Sequence, residues 1–196
     1  MIQAVQEQDN TAVRALLDSG IDINAEAADG SQALHWSVHR DNSVITQLLL
    51  NAGAEVNSKN RYGVAPLSLA ANNGNPEIVR LLLSTGGLAN TAMAENETVI
   101  MTAARTGVVA SVALLIEAGA NVNERESWRG QSALMWAAGE GNLEVVKLLV
   151  SNNADITARS ERGFTPLLFA AREGKTATVE ALLDLGADIE EALPAG

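Results

Sequence analysis

The sequence predicts an all-α fold, a helical solenoid of stacked helix–turn–helix units, on the strength of three landmarks that recur in register. Gly20, Gly53, Gly86, Gly119, Asn153 and Gly186 fall 33, 33, 33, 34 and 33 residues apart. Paired alanines recur at Ala70-Ala71, Ala103-Ala104, Ala137-Ala138 and Ala170-Ala171, with Ser37-Val38 and Ala4-Val5 as looser copies. A further glycine follows each full pair, at Gly74, Gly107, Gly141 and Gly174. A period of this length means that one supersecondary unit is repeated along the chain.

Each element of the period follows from local chemistry. A glycine opens it (Gly30, Gly63, Gly130, Gly163), where a tight turn needs positive φ or a close backbone approach. A short helix comes next, as over 65–72, and its paired alanines let a neighbouring helix approach closely. Gly74 ends that helix in the left-handed conformation common just past a helix. A second helix runs over 77–84, where Ile78, Val79, Leu81, Leu82 and Leu83 give the wide apolar surface of a buried helix. A glycine closes it, and Ala-Glu-Val-Asn (54–57) or its equivalent connects one period to the next. The first helix is barely two turns long, so neither helix can bury its apolar side until successive periods stack.

Gly163-Phe-Thr-Pro-Leu-Leu-Phe-Ala-Ala-Arg-Glu-Gly174, Gly141-Asn-Leu-Glu-Val-Val-Lys-Leu-Leu-Val150 and Gly186-Ala-Asp-Ile189 resemble ankyrin repeats, and the resemblance covers essentially the whole chain. It implies units joined by outward β-hairpin-like loops and stacked into a curved array with a concave face. The single array over 1–196 divides into a partial unit at 1–26 and repeats at 27–59, 60–92, 93–125, 126–159 and 160–192; residues 193–196 begin a unit that is not continued. The family's Thr-Pro-Leu-His turn is intact nowhere. The copies end at His35, Ser68, Met101, Met135 and Leu168, so the hydrogen bonds of that turn are expected to be mostly absent or replaced. Asn96 stands where a turn glycine belongs, and Gly87-Leu-Ala-Asn90 lacks the usual Asp and Val. The junction between 86 and 98 is therefore expected to be the least regular.

Composition narrows the function. The chain has 196 residues, 47% hydrophobic and only 3% aromatic, so its core is built from small and branched side chains. A net charge of −11, from 24 acidic and 13 basic residues, repels phosphate backbones and argues against nucleic acid as a partner. The absence of cysteine excludes disulfides, thiolate catalysis and cysteine-ligated metal. The longest apolar run, Val108 to Ile116, has nine residues with a Ser inside it, against the ~20 needed to cross a bilayer, so no membrane insertion is expected. No basic stretch followed by an apolar one marks a secretory signal at the N-terminus.

No catalytic constellation emerges. His35 and His39 have the i,i+4 spacing of a zinc-binding pair, but Trp36 occupies the place of the catalytic Glu. His35 also sits where the resembling family carries a structural histidine. It is read as turn-bonded, His39 as exposed, and no metal is assigned. Glu95/Glu97, Glu124/Glu126 and Glu190/Glu191 read as solvated loop charge with no apolar pocket to tune them. Gly139-Glu-Gly141 follows a helix rather than a strand, no Walker-type lysine loop is present, and Asn96-Glu-Thr98 matches only the common glycosylation triplet. No cofactor is expected.

In the resembling family, partners contact loop tips and the exposed inner helix surface. The matching positions here include His39, Arg40, Arg61, Tyr62, Arg105, Trp128, Arg129, Arg162, Phe164 and Arg172. With the flanking loop positions, this stripe holds nine of the 13 basic residues: Arg40, Lys59, Arg61, Arg105, Arg125, Arg129, Arg159, Arg162 and Arg172. It holds eight of the 24 acidic ones, Glu126 among them, and is thus about neutral on a strongly acidic chain. Tyr62, Trp128 and Phe164 lie on it at non-core positions, whereas Trp36, Trp136 and Phe169 are assigned to the core. Arg and aromatic side chains are enriched at binding hot spots. The only 34-residue period contains Trp128, so the lengthened loop at 126–129 should push that tip outward, with Arg129 beside it and Arg162 and Arg105 flanking.

The first unit lacks most of its first helix by this reading, and the last resembles an interior unit. The chain therefore either belongs to a longer array or meets another molecule at its ends, as a monomer with end-to-end association as the alternative. The function expected is a non-enzymatic scaffold that binds a partner protein through a concave face and loop tips. The rival is a regulatory or docking segment of a larger enzyme or transporter.

Overall fold

The computed structural model describes residues 1–190, so the expected uncontinued unit at 193–196 lies outside the described residues. Twelve α-helices and no strand are found among them, arranged as six antiparallel pairs. The pairs are α1 (Ile2–Gln6) with α2 (Asn10–Asp18), α3 (Ala33–His39) with α4 (Ser43–Asn51), and α5 (Pro66–Asn73) with α6 (Pro76–Ser84). They continue with α7 (Val99–Thr106) and α8 (Val109–Glu117), α9 (Ala133–Glu140) and α10 (Leu143–Ser151), and α11 (Pro166–Arg172) and α12 (Thr176–Asp184). Odd-numbered helices pack side by side in chain order to form one layer, and even-numbered helices form a second. The fold is an all-α solenoid.

The paired alanines do what their size allows. Ala70, Ala71, Ala103, Ala104, Ala137 and Ala138 are completely buried between adjacent odd-numbered helices. The even-numbered helices contribute the branched residues, such as Ile78, Val79 and Leu82 of α6, each fully buried and worth roughly 1.5–3 kcal/mol of transfer free energy. Asp9, Asn42 and Asn75 cap α2, α4 and α6 through their side-chain oxygens, each at about 1 kcal/mol. Among the odd-numbered helices Ser132 and Thr165 retain that bond, while Ala65 and Thr98 make none. The predicted thinning of turn hydrogen bonds is therefore partial.

One reading is corrected at the N-terminus. The first unit does not lack most of its first helix: α1 has five residues against seven or eight in the other odd-numbered helices, and it buries Ala4 and Val5. Enough backbone remains for one closed turn, which α3 covers.

The loops close as short hairpins. Backbone bonds from Ala27 to Ser31, Asn60 to Val64, Met93 to Glu97 and Ser160 to Phe164 tie the two arms of each turn. In the long period the bond runs from Glu126 N–H to Gln131 C=O, so the added residue is absorbed inside that turn. Between 86 and 98 the chain does depart from the others, with a 3-10 turn over Ala94–Asn96 and two successive left-handed residues, Glu95 and Asn96, at φ 59° and 60°.

Candidate functional site

The hairpin tips and the exposed side of the odd-numbered helices carry the residues singled out above, and the structure divides them into two sectors. Near the N-terminus lie His39, Arg40, Arg61 and Tyr62, all exposed, with Tyr62 at 72%. His39 meets Trp36 edge-on with ring centroids 5.9 Å apart. A small cavity of about 160 Å³ sits beside them, lined by Asp29, Ser31, His35, Trp36, His39 and Asn60.

His35 is buried, and both ring nitrogens are committed to backbone. Gln32 N–H donates to Nδ1 at 3.2 Å, which leaves the proton on Nε2, 3.1 Å from the Val64 carbonyl. Burial pushes its pKa below the ordinary 6.5, outweighing the opposing bonds to backbone and the Asp29 and Glu26 charges. Asp29 is held below the usual carboxylate value by the Ser31 amide and then its hydroxyl, each bond 3.0 Å long. His35 is a hairpin-to-helix brace that also reaches the next unit, as its turn-bonded reading expected. His39 is exposed.

The second sector is built around α9. Arg105 lies over Trp136 at 5.3 Å, Arg129 over Trp128 at 4.0 Å, and Arg172 over Phe164 and Phe169 at 5.1 and 5.0 Å. Each contact is a cation–π pair, worth about 0.5–1 kcal/mol at an exposed site. Arg105, Arg129 and Arg172 open onto a common groove of about 360 Å³, with Trp136 and Phe169 among its lining residues. Arg162 is exposed on the next hairpin and does not line that groove, whereas Arg105 and Arg129 both do.

Trp128 is 63% exposed, and the turn that carries it is held from below. Glu126, only 6% exposed, points its carboxylate back into the turn. Oε2 accepts from Trp128 N–H at 2.6 Å and Arg129 N–H at 2.9 Å; Oε1 accepts from Arg129 and Gln131 N–H at 3.0 and 2.9 Å. Backbone bonds from Ser127 to Glu95 and from Glu161 to Arg129 tie the tip to both neighbouring hairpins.

Three sequence readings change here. Glu126 is a buried turn organiser and not solvated charge. Trp36 and Trp136 are half-buried rather than core, because the layer of odd-numbered helices has no second layer on its other side. Phe169 is buried as expected, although it also borders the groove. Finally, Lys59, Arg125 and Arg159 are not free stripe cations. Lys59 Nζ donates to the Ala92 carbonyl, Arg125 to the carbonyls of Gly130 and Arg159, and Arg159 to that of Gly163, so these three brace hairpins.

The family described as ankyrin repeats (3 copies) matches the chain over residues 1–93, 69–160 and 100–192. The chain belongs to the ankyrin-repeat family. No individual curated protein matches it. Ankyrin repeats are generally protein–protein interaction modules, and the family is typically non-enzymatic. No helix among the described residues is long and apolar enough to cross a membrane. The ankyrin hairpins keep a positive-φ turn residue, with Asn96 (φ 60°) in place of glycine, and Asn153 (φ 65°) replaces the glycine that closes the second helix of its unit.

Proposed function

We propose that this ankyrin array is a non-enzymatic recognition module that binds a partner protein through its concave face and hairpin tips. Its strongest contact is placed at Trp128 and Arg129, with Arg105, Arg172 and Phe164 alongside. His39, Arg40, Arg61 and Tyr62 form a second, weaker sector, and Arg162 lies at the rim. The observation that carries this reading is the Trp128 tip. A large indole stands mostly in solvent, stacked under a guanidinium, on a turn fixed by four hydrogen bonds to one buried carboxylate. Exposed Trp and Arg on a pre-ordered turn lose little freedom when a partner covers them, which is how hot spots gain affinity. The protein needs no cofactor or metal for this role, and it acts as a monomer with unit boundaries as the repeats predict.

The test is affinity capture with wild-type and Trp128→Ala protein. Loss of the indole should leave the melting temperature nearly unchanged and weaken the captured partner by about 2 kcal/mol. A large drop in melting temperature with unaltered affinity would make the indole structural and end this reading.

A further inference from the structure

The groove beside α9 has a charge opposite to that of its protein. On a chain of net charge −11, it gathers Arg105, Arg129, Arg172 and Lys175 against two carboxylates, Glu140 and Glu173. Glu173 is already engaged with Arg172, with a 2.8 Å ion pair. Among the described residues, no carboxylate lies within ion-pair distance of Arg105, Arg129 or Lys175. Between these cations lies an apolar floor, the half-buried Trp136 with Met135 and Phe169. At about 360 Å³, the groove admits a few side chains of an extended segment and not the body of a folded domain.

From this juxtaposition we infer that the groove takes an acidic, apolar-anchored peptide segment of the partner protein. This deepens, and rests on, the reading of the chain as a protein-recognition module. One bulky apolar side chain lies on Trp136 and Phe169, and carboxylates on either side of it meet Arg105, Arg129 and Lys175. The planar guanidinium groups donate to carboxylates in a bidentate fork that a lysine cannot offer. A second cavity of about 320 Å³ continues past Arg129 and Trp136 and is lined by Glu95 and Glu97. The acidic stretch must therefore end at Trp128, so the segment is short and acidic at one end, not a uniform polyanion. A nucleic acid strand fits less well, because it would run off the groove onto a surface of its own sign.

The decisive experiment is selection of displayed random 12-residue peptides on the intact protein. It is followed by titration of the enriched peptides, and of a dT12 oligonucleotide, against wild type, Arg105→Glu/Arg129→Glu, Lys175→Glu and Trp128→Ala. Circular dichroism confirms that each variant is folded. Enriched peptides should carry acidic residues flanking a Leu, Phe or Trp. They should bind at least tenfold more weakly to the double charge reversal, severalfold more weakly to Lys175→Glu, and progressively more weakly as salt rises. Peptides without acidic residues that still depend on Trp128 would overturn this inference while leaving the recognition reading intact. Peptides indifferent to every one of these variants would overturn both. No enrichment, or tighter binding of dT12 than of any peptide, would overturn the inference.

Discussion

Glu126 offers the most direct quantitative test of how the exposed tip is built. Its carboxylate accepts four hydrogen bonds from three amides while only 6% exposed, so replacing it by Ala strands the N–H groups of Trp128, Arg129 and Gln131 together. A hydrogen bond to a charged group is worth about 1.5–3 kcal/mol, and a buried donor left unpaired costs about 1–3 kcal/mol. Water reaches part of this turn, because Ser127, Trp128 and Arg129 are exposed, and recovers some of that loss. The net cost of Glu126→Ala is then about 2–4 kcal/mol, or a fall in melting temperature of roughly 5–12 °C for a chain of this size. Glu126→Gln keeps an acceptor for Arg129 and Gln131 but turns an amide –NH2 toward Trp128 N–H, so it should fall between. Thermal and urea unfolding followed by circular dichroism give the global cost. Amide hydrogen exchange should accelerate at Trp128, Arg129 and Gln131 before anywhere else. A Glu126→Ala protein that melts within about 1 °C of wild type, with those amides still protected, would refute the reasoning.

Three further outcomes are expected. Because the folded pKa of His35 lies below the ordinary 6.5, the unfolded chain takes up this proton first as pH falls. The stability due to neutral His35 is thus complete above 6.5 and is lost on acidification below it; the melting curve should show that loss, and His35→Gln should flatten it, well before the Asp29 contribution fades below 3.8. Gly107, at φ 79°, would place an alanine Cβ 2.6 Å from the Asn142 side chain, which holds the carbonyls of Ala104 and Arg105. Gly174, at φ 66°, has nothing within 4 Å; Gly174→Ala should therefore cost only the ~1–2 kcal/mol of left-handed backbone and Gly107→Ala distinctly more, as chemical denaturation would show. Asn123 bridges two connecting loops, donating to the Asn153 carbonyl and accepting from Asp155 N–H, both at 2.8 Å, so Asn123→Ala should lower stability by about 1 kcal/mol in urea titrations.

The helices were legible because their periodic signals are local: small paired residues, a left-handed terminator, then a branched apolar run. Even the irregular junction announced itself, since Asn96 and Gly87 break the pattern where the 3-10 turn forms. The side chains on the surface were harder to read. The inward position just before the paired alanines is buried at Thr102 and Phe169 but half-exposed at Trp36 and Trp136, where the larger indole extends past the small residues that seal the layer. The roles of Lys59, Arg125 and Arg159 depend on carbonyls reached across a turn or on a neighbouring hairpin, and charge counting alone cannot separate such braces from free cations. Glu126 was misread for the same reason, its partners being backbone amides that no side-chain pattern reveals.

The neighbour-to-neighbour packing of the two helix layers has a mechanical corollary. Since every joint depends chiefly on the pair before and the pair after, damage has no shortcut across the molecule. A flaw near α3 should loosen the Tyr62 end while the Trp128 end keeps its shape, so a protease would trim such a variant to a shorter, still structured remnant rather than digest it whole. The protein is then less like a keystone arch than like a stack of plates, which can shed from one end and still be a stack.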